Sequence, residues 1–401
     1  MRVYHMTEEP YPEAWNTGAE SLRVNLPNRH CDPRIAADQY HRFLDEWQLC
    51  DELGINIFVN EHHSTATCMT ASCNLILGIL AKTTKRVRLL GLGMPIANRP
   101  DPLRVAEECA MIDVISRGRF DMGFIKGVPY EIVPSNSRPV DTVERFWEAH
   151  DLIIKALTSH DGPFSWEGTH FHYRSVNIWP RPWQEPHPPV WVSVNSVGSV
   201  KPVAERGHVL GTVMTGYKAK ALFDEYRLVW RASGRPGPVP LDRFCYCCFM
   251  ACGNSEEEGL RRGNEVMAYL RTNAIVAEEF RSPPGYVAPQ ALADQFRRTG
   301  RAGFSELGLF DRAGKRISSF TEASVADTMR GGLLFAGTPD QVFRQIVDFY
   351  EAIGGFGALQ MMAHAGTMSH DDTVSSLTLF AKEVLPRLED YYATARAAAA
   401  E

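Results

Sequence analysis

Short apolar runs alternate with segments of helical spacing along almost the whole chain, and this rhythm constrains the fold more than any single motif. Runs suited to strands occur at 2–6, 55–60, 87–94, 119–125, 190–194, 208–214, 243–251 and 357–363. Between most of them lie helical segments, such as 36–53 with Phe43, Trp47 and Leu53 before the stop signal Gly54, and 103–115 before Gly118. Strand and helix in repetition predict a parallel sheet covered by helices. Eight such runs in 401 residues, more than the roughly 250 of a bare barrel, predict an α/β fold of the (β/α)8 TIM barrel type carrying insertions. An open doubly wound sheet is the alternative. The barrel reading makes residues 1–401 one domain. It inserts a hairpin at 160–189, where Gly, Trp and Pro break the rhythm, and a long segment after strand seven at about 273–332. The second helix, expected over 68–83, is apolar nearly all round, which points to a buried subunit contact in an oligomer.

Charge and composition remove several function classes. Lys plus Arg total 42 against 48 for Asp plus Glu, a formal charge of −6, so no basic excess exists to neutralise a nucleic acid. No run approaches the ~18 apolar residues of a membrane span, and the first residues lack the apolar stretch of a secretory signal. Nine cysteines scattered over a long chain fit reduced thiols used as small hydrophobes, and hence a cytoplasmic protein. Cys245, Cys247, Cys248 and Cys252 fall within an apolar run, which reads as core packing and not as a metal set. No metal is expected. The phosphate-binding loop Gly-x-x-x-x-Gly-Lys-Ser/Thr, the nucleophile elbow Gly-x-Ser-x-Gly and the His-Glu-x-x-His zinc helix do not occur. Gly91-Leu92-Gly93 runs into Pro95, where a dinucleotide-binding helix would have to begin.

Barrels carry their chemistry on the loops after the strands, so those positions are the ones to read. Asn60-Glu61-His62-His63 follows strand two. Adjacent extended residues point to opposite faces, so one of the two histidines looks into the barrel mouth as an acid or base titrating near neutral pH, unless both are loop residues satisfied by hydrogen bonds. Asn195-Ser196-Val197-Gly198-Ser199 follows strand five and opens a helix with Pro202 in its first turn. It is an anion cradle or a simple N-cap made by Ser196 or Ser199. Lys126, between Ile125 and Gly127 at the end of strand four, is a point charge for the same anion or a solvated surface lysine.

Four blocks, taken in this order and spacing, resemble the bacterial luciferase-like flavin-dependent monooxygenase family. They are Glu61-His62-His63, the stretch from Pro95 to Gly127 with Ser116-Arg117-Gly118-Arg119-Phe120, Asn136-Ser137-Arg138, and Pro188-Pro189-Val190-Trp191-Val192 through Ala204-Glu205-Arg206-Gly207. The resemblance implies a (β/α)8 barrel with a mobile loop after strand seven. It implies reduced FMN held non-covalently at the mouth and supplied by a separate flavin reductase. O2 then gives a flavin hydroperoxide that oxygenates a small apolar or carbonyl-bearing organic substrate. By the same resemblance Asn195, Ser196 and Ser199 hold the flavin phosphate, Lys126 stands where an arginine is commoner, and Val128 makes a main-chain contact to the ring. His62 is the catalytic residue, with Glu61 or His63 fixing its tautomer, and the Leu90–Gly91 peptide corresponds to a cis, non-proline bond. Ile125 replaces the reactive cysteine of luciferase, so light emission is not implied.

Within that frame the insertion is expected to be a lid with Phe280, Tyr286 and Phe304 as apolar contacts, and Tyr4, Met6, Phe58 and Met94 are expected to line the mouth. The chain is expected to form a homodimer or heterodimer. A deazaflavin-dependent hydride-transfer oxidoreductase, a non-catalytic partner subunit of the same fold, and a metal-dependent hydrolase using His62 or His63 are the alternatives.

Overall fold

The computed structural model describes residues 1–273, 275–287, 289–299 and 308–398. The chain opens with β1 (Arg2–Thr7), α1 (Pro33–Leu53), β2 (Asn56–Val59), α2 (Cys73–Thr83), β3 (Leu89–Pro95), α3 (Pro102–Ser116), β4 (Phe120–Ile125) and α4 (Thr142–Thr158). A hairpin of β5 (Phe164–Glu167) and β6 (His172–Val176) precedes β7 (Val190–Ser193), α5 (Lys201–Arg206), β8 (Val209–Thr212), α6 (Ala219–Ala232), β9 (Phe244–Cys252) and α7 (Glu256–Asn273). Then come α8 (Glu278–Arg281), α9 (Pro289–Thr299), the hairpin of β10 (Gly308–Phe310) and β11 (Arg316–Ser319), and α10 (Val325–Arg330). The last elements are β12 (Leu334–Gly337), α11 (Pro339–Ile353), β13 (Ala358–His364), α12 (His370–Leu379) and α13 (Leu385–Ala398).

Eight parallel strands close in the order β1, β2, β3, β4, β7, β8, β9 and β13, with β13 pairing back to β1. This is the TIM barrel that the alternation predicts, not the open sheet. A further parallel strand, β12, is absent from the sequence reading. β9 is 9 residues long; it pairs with β8 through Phe244 to Tyr246 and with β12 through Phe249 to Cys252. One long strand thus takes two short partners, and four residues are too few to stand out as a run of their own. The second helix begins at Cys73 and not at Cys68, because the Ser72 side chain accepts the Leu75 N–H and caps it there.

Strand alternation sorts the side chains into two cores. Tyr4, Met6, Phe58, Leu90, Leu92, Trp191 and Phe249 fill the barrel interior, while Val3, Ile57, Val59, Leu89, Phe120 and Met122 pack against the helices. β3 breaks the pattern where its pairing with β4 shifts register between Gly91 and Met94. The shift turns Met94 outward into the helix-facing core, its Sδ 3.7 Å from Cys109 Sγ, and away from the mouth where the sequence reading expects it. The cis peptide lies in this irregular stretch, at Leu92–Gly93, and not at Leu90–Gly91. Leu90 and Gly91 remain in regular register with β2 and β4, a ladder built on trans peptides. β3 and β4 approach so closely here that a Cβ on Gly123 would lie 2.6 Å from the Gly91 carbonyl oxygen.

Tyr4 also lies deeper than the mouth. Its hydroxyl is 3.2 Å from Asp121 Oδ2, and Arg88 grips that carboxylate through bonds of 2.6 and 2.8 Å, making a polar floor inside the barrel. All nine cysteines are free and all but Cys31 are buried. On the outside, Leu75 and Ile79 of α2 and Met111 and Ile115 of α3 are exposed on adjacent helices. No helix among the described residues is long and apolar enough to cross a membrane.

Candidate functional site

At the C-terminal ends of the strands a cavity of about 730 Å³ opens between the barrel and the segment that follows α7. Interior-facing residues at the strand ends, Met6, Phe58, Leu92, Gly93 and Ile125, form its base. Leu270, Val276, Val287 and Phe320 add apolar surface from above. Of the residues expected at the mouth, Met6 and Phe58 are there. Phe280 is not among the lining residues, and Phe304 lies outside the described residues.

The loop after β2 supplies the first polar wall. The His62 N–H donates to the Thr70 carbonyl at 3.0 Å, which fixes the loop backbone. His62 Nδ1 lies 2.9 Å from Glu131 Oε1 and 3.3 Å from the Tyr130 hydroxyl. Tyr130 is held in turn by Arg23, whose guanidinium bonds the hydroxyl and sits 4.4 Å from the ring centroid. With Nδ1 engaged, Nε2 is the ring nitrogen left for chemistry in the cavity. Burial disfavours a protonated His62, but the Glu131 carboxylate outweighs it and raises the pKa above the ordinary value. Burial likewise pushes Glu131 up, and His62 overrides it, so the carboxyl titrates below its usual range.

This arrangement corrects the tautomer assignment. Among the described residues, the hydrogen bonds to the His62 ring come from Glu131 and Tyr130 and not from the side chains of Glu61 or His63. Glu61 is fully buried. Its Oε1 meets His63 Nε2 at 3.0 Å and Arg99, and its Oε2 accepts the Cys73 N–H at 3.1 Å. Glu61 lines the same cavity as His62, but its carboxylate is occupied: Oε2 ties the loop to the start of α2, and Oε1 ties it to His63 and Arg99. Glu131 holds His62 Nδ1 instead, and it also accepts the His63 N–H at 3.0 Å. Sequence reasoning missed it, although it follows β4 by six residues in a turn set by Pro129. Glu8, just after β1, was missed for the same reason. It lines the cavity beside Tyr269 and accepts from Asn60 Nδ2 at 3.0 Å, and burial raises its pKa.

Lys126, Val128, Asn195, Ser196, Gly198 and Ser199 line the same cavity. Leu90 and Gly91 do not reach it; Leu92 and Gly93 do. Asn195 Oδ1 accepts the Val213 N–H at 3.2 Å and so ties the turn after β7 to the end of β8. The two serine hydroxyls lie 2.8 Å apart. Neither caps a helix: the short turn 197–199 has no side-chain cap at Ser196, and α5 starts from Val200. Lys126 is partly buried, which lowers its pKa, and among the described residues it has no carboxylate partner; its Nζ sits 3.9 Å from the Tyr286 ring centroid. A partly desolvated ammonium and two hydroxyls bonded only to each other among the described residues, all lining one cavity, form a donor set that fits a phosphate.

A family model for luciferase-like monooxygenases matches residues 22–355 of the chain. Among curated proteins, an uncharacterised protein of Sinorhizobium fredii is 31% identical over 198 residues, covering 49% of this chain and 57% of that protein. The oxygenase component of flavin-dependent trigonelline monooxygenase from Acinetobacter baylyi is 29% identical over 192 residues, covering 47% and 52%. The matched segment thus spans little more than half the length of either relative. A 4-hydroxyprotoasukamycin monooxygenase of Streptomyces nodosus subsp. asukaensis is 25% identical over 86% of this chain and 85% of its own. In fold, the chain resembles the monooxygenase RslO1 of Streptomyces bottropensis, with a TM-score of 0.71 at 21% identity over 97% of this chain and 100% of that one. It also resembles the oxygenating constituent of 3,6-diketocamphane monooxygenase from Pseudomonas putida, solved with FMN, with a TM-score of 0.68 at 19% identity over 96% and 97%.

Proposed function

The chain belongs to the luciferase-like monooxygenase family, and on that premise we propose that its cavity binds reduced FMN and oxygenates a small apolar or carbonyl-bearing organic substrate with O2. Lys126, Ser196 and Ser199 hold the phosphate. Asn195 fixes the turn that carries the serines, and the Val128 main chain meets the ring. Bound reduced flavin supplies two electrons to O2, so that one oxygen atom enters the substrate and the other leaves as water. A separate flavin reductase delivers it; the Acinetobacter relative is named as an oxygenase component.

The residues of the chain do the rest. His62, with Nδ1 locked to Glu131, presents Nε2 to the reacting groups and keeps its proton above the pH at which a free imidazole loses it, so it donates to or stabilises developing negative charge on oxygen. Met6, Phe58, Leu270, Val276 and Phe320 exclude water and select an apolar substrate body. The segment 275–287 is a lid over this space. The exposed apolar residues Leu75, Ile79, Met111 and Ile115 pair α2 and α3 with a second chain, of the same or a related kind. Nine free thiols suit a reducing cytoplasm.

One observation carries this reading: Lys126, Ser196 and Ser199 line one cavity with His62, whose Nδ1 is held from behind by Glu131. Anaerobic titration with reduced FMN, then mixing with O2 while absorbance and oxygen uptake are recorded, tests it. Tight binding followed by oxygen consumption is expected. Absence of FMN binding together with binding of a reduced deazaflavin that ignores O2 would assign the chain to hydride transfer instead.

A further inference from the structure

Tyr286 belongs to the segment between α7 and α9, yet both ends of its side chain rest on the end of β4. Its ring centroid lies 3.9 Å from Lys126 Nζ, and its hydroxyl donates to the Gly127 carbonyl at 2.7 Å. The two contacts fall on consecutive residues, so the hydrogen bond sets where the ring sits and the ring sets where the ammonium sits. A lysine stem left alone keeps the freedom of its four rotatable bonds, which an anion must overcome on binding. An aromatic face attracts the cation from one side. Unlike a carboxylate, it neither cancels the charge nor consumes the N–H donors one by one. The free donors therefore remain for an anion arriving from the cavity, which Lys126, Ser196 and Ser199 line together.

We infer that Tyr286 is a positioning residue that aims Lys126 at the flavin phosphate and thereby makes the site select FMN over unphosphorylated riboflavin. The inference rests on the FMN reading above. It also links the segment 275–287 to the cofactor: a phosphate that orders Lys126 favours the ring lying on it, and the seated ring favours phosphate, by the same factor in both directions.

Reduced FMN and reduced riboflavin are titrated anaerobically into the full chain, its Tyr286→Ala and Tyr286→Phe variants, Lys126→Ala, and the double variant. The natural chain is expected to prefer FMN. Tyr286→Ala is expected to lose about tenfold in FMN affinity while riboflavin binding stays the same. Tyr286→Phe, which keeps the ring face, retains most of the preference and guards against a trivial failure of folding. In the Lys126→Ala background, Tyr286→Ala adds nothing to the loss of FMN. Equal weakening of both flavins, or an unchanged preference in Tyr286→Ala, overturns the inference while the cofactor reading stands. A natural chain that binds FMN no better than riboflavin overturns the cofactor reading itself.

Discussion

On the His62 side of the cavity the polar groups are held in place by the chain itself: Nδ1 has Glu131 and Tyr130, and both Glu61 oxygens are taken by His63, Arg99 and a backbone N–H. On the Lys126 side the ammonium sits on an aromatic ring with no carboxylate partner among the described residues, and two hydroxyls face each other. Groups that move or hold protons in a reaction must be oriented before the reactants arrive, because reorganising them during the reaction raises the barrier. Groups that bind an anion must keep donors free for it. The His62 ring is therefore already held in the bare chain, though Glu131 Oε2 is buried there without a hydrogen-bond partner, and on the proposed function the second wall is completed by its ligand.

Removing His62 should have the largest effect. His62→Ala is expected to lower product formation by about 10²-fold or more, the usual scale for a general acid or base, with reduced FMN binding changed less than about threefold, since His62 is not among the phosphate-holding residues. Single-turnover product yield and anaerobic binding, measured on the same preparation, check this. A loss of binding as large as the loss of turnover would move His62 to the cofactor side of the comparison. Lys126→Ala should do the reverse, weakening FMN by about 10- to 100-fold, the scale of a charge-assisted hydrogen bond, and leaving turnover at saturating FMN nearly intact. Lys126→Arg restores binding through its planar fork.

Glu131→Gln keeps the shape of the dyad and removes its charge. The His62 pKa then falls back toward or below its ordinary value of 6.5, because burial is no longer opposed. If the protonated imidazole is the working form, the alkaline limb of the activity profile moves to lower pH, with a loss of about tenfold on that limb. Stability follows the same linkage with a fixed sign. His62, raised on folding, contributes stability fully below its unfolded value of 6.5 and loses it as pH rises through the folded pKa. Glu131, depressed on folding, contributes above its unfolded value of 4.5 and loses it as pH falls through the folded pKa. The difference in Tm between the natural chain and Glu131→Gln should therefore be greatest at mildly acidic pH between those limits and shrink on both sides. A difference that does not vary with pH would mean the pair is not charged.

The two walls also differ in how well the sequence announces them. Alternating runs reveal seven barrel strands and the closing one, because burial on both faces gives each an unbroken apolar signature; β12, four residues leaning on the end of β9, has too little length to give one. Lys126 and the serine turn are legible because each is adjacent in sequence to a strand end. The partner of His62 is not, since Glu131 reaches it across 69 positions of chain and only the fold brings them together. Glu61 lines the cavity beside His62, but its carboxylate is taken by His63, Arg99 and the Cys73 N–H, partners that adjacency in sequence does not reveal. The direction of Met94 and the site of the cis peptide depend on one register shift in β3, and nothing in Gly91-Leu92-Gly93 says which residue is the extra one.

The smallest effect divides the walls most finely. Ser196 and Ser199 share a hydrogen bond of 2.8 Å at an exposed turn, and neither is bonded to a helix N–H. A serine that capped a helix would cost about 1 kcal/mol of stability when changed to alanine. Here Ser196→Ala should leave Tm unchanged and weaken FMN by about three- to tenfold, as one hydrogen bond to an anion at a partly solvated site is lost. Riboflavin binding should not move. The opposite pattern, a lower Tm with intact FMN affinity, would mean that the hydroxyls serve the fold after all, and the anion would then rest on Lys126 alone.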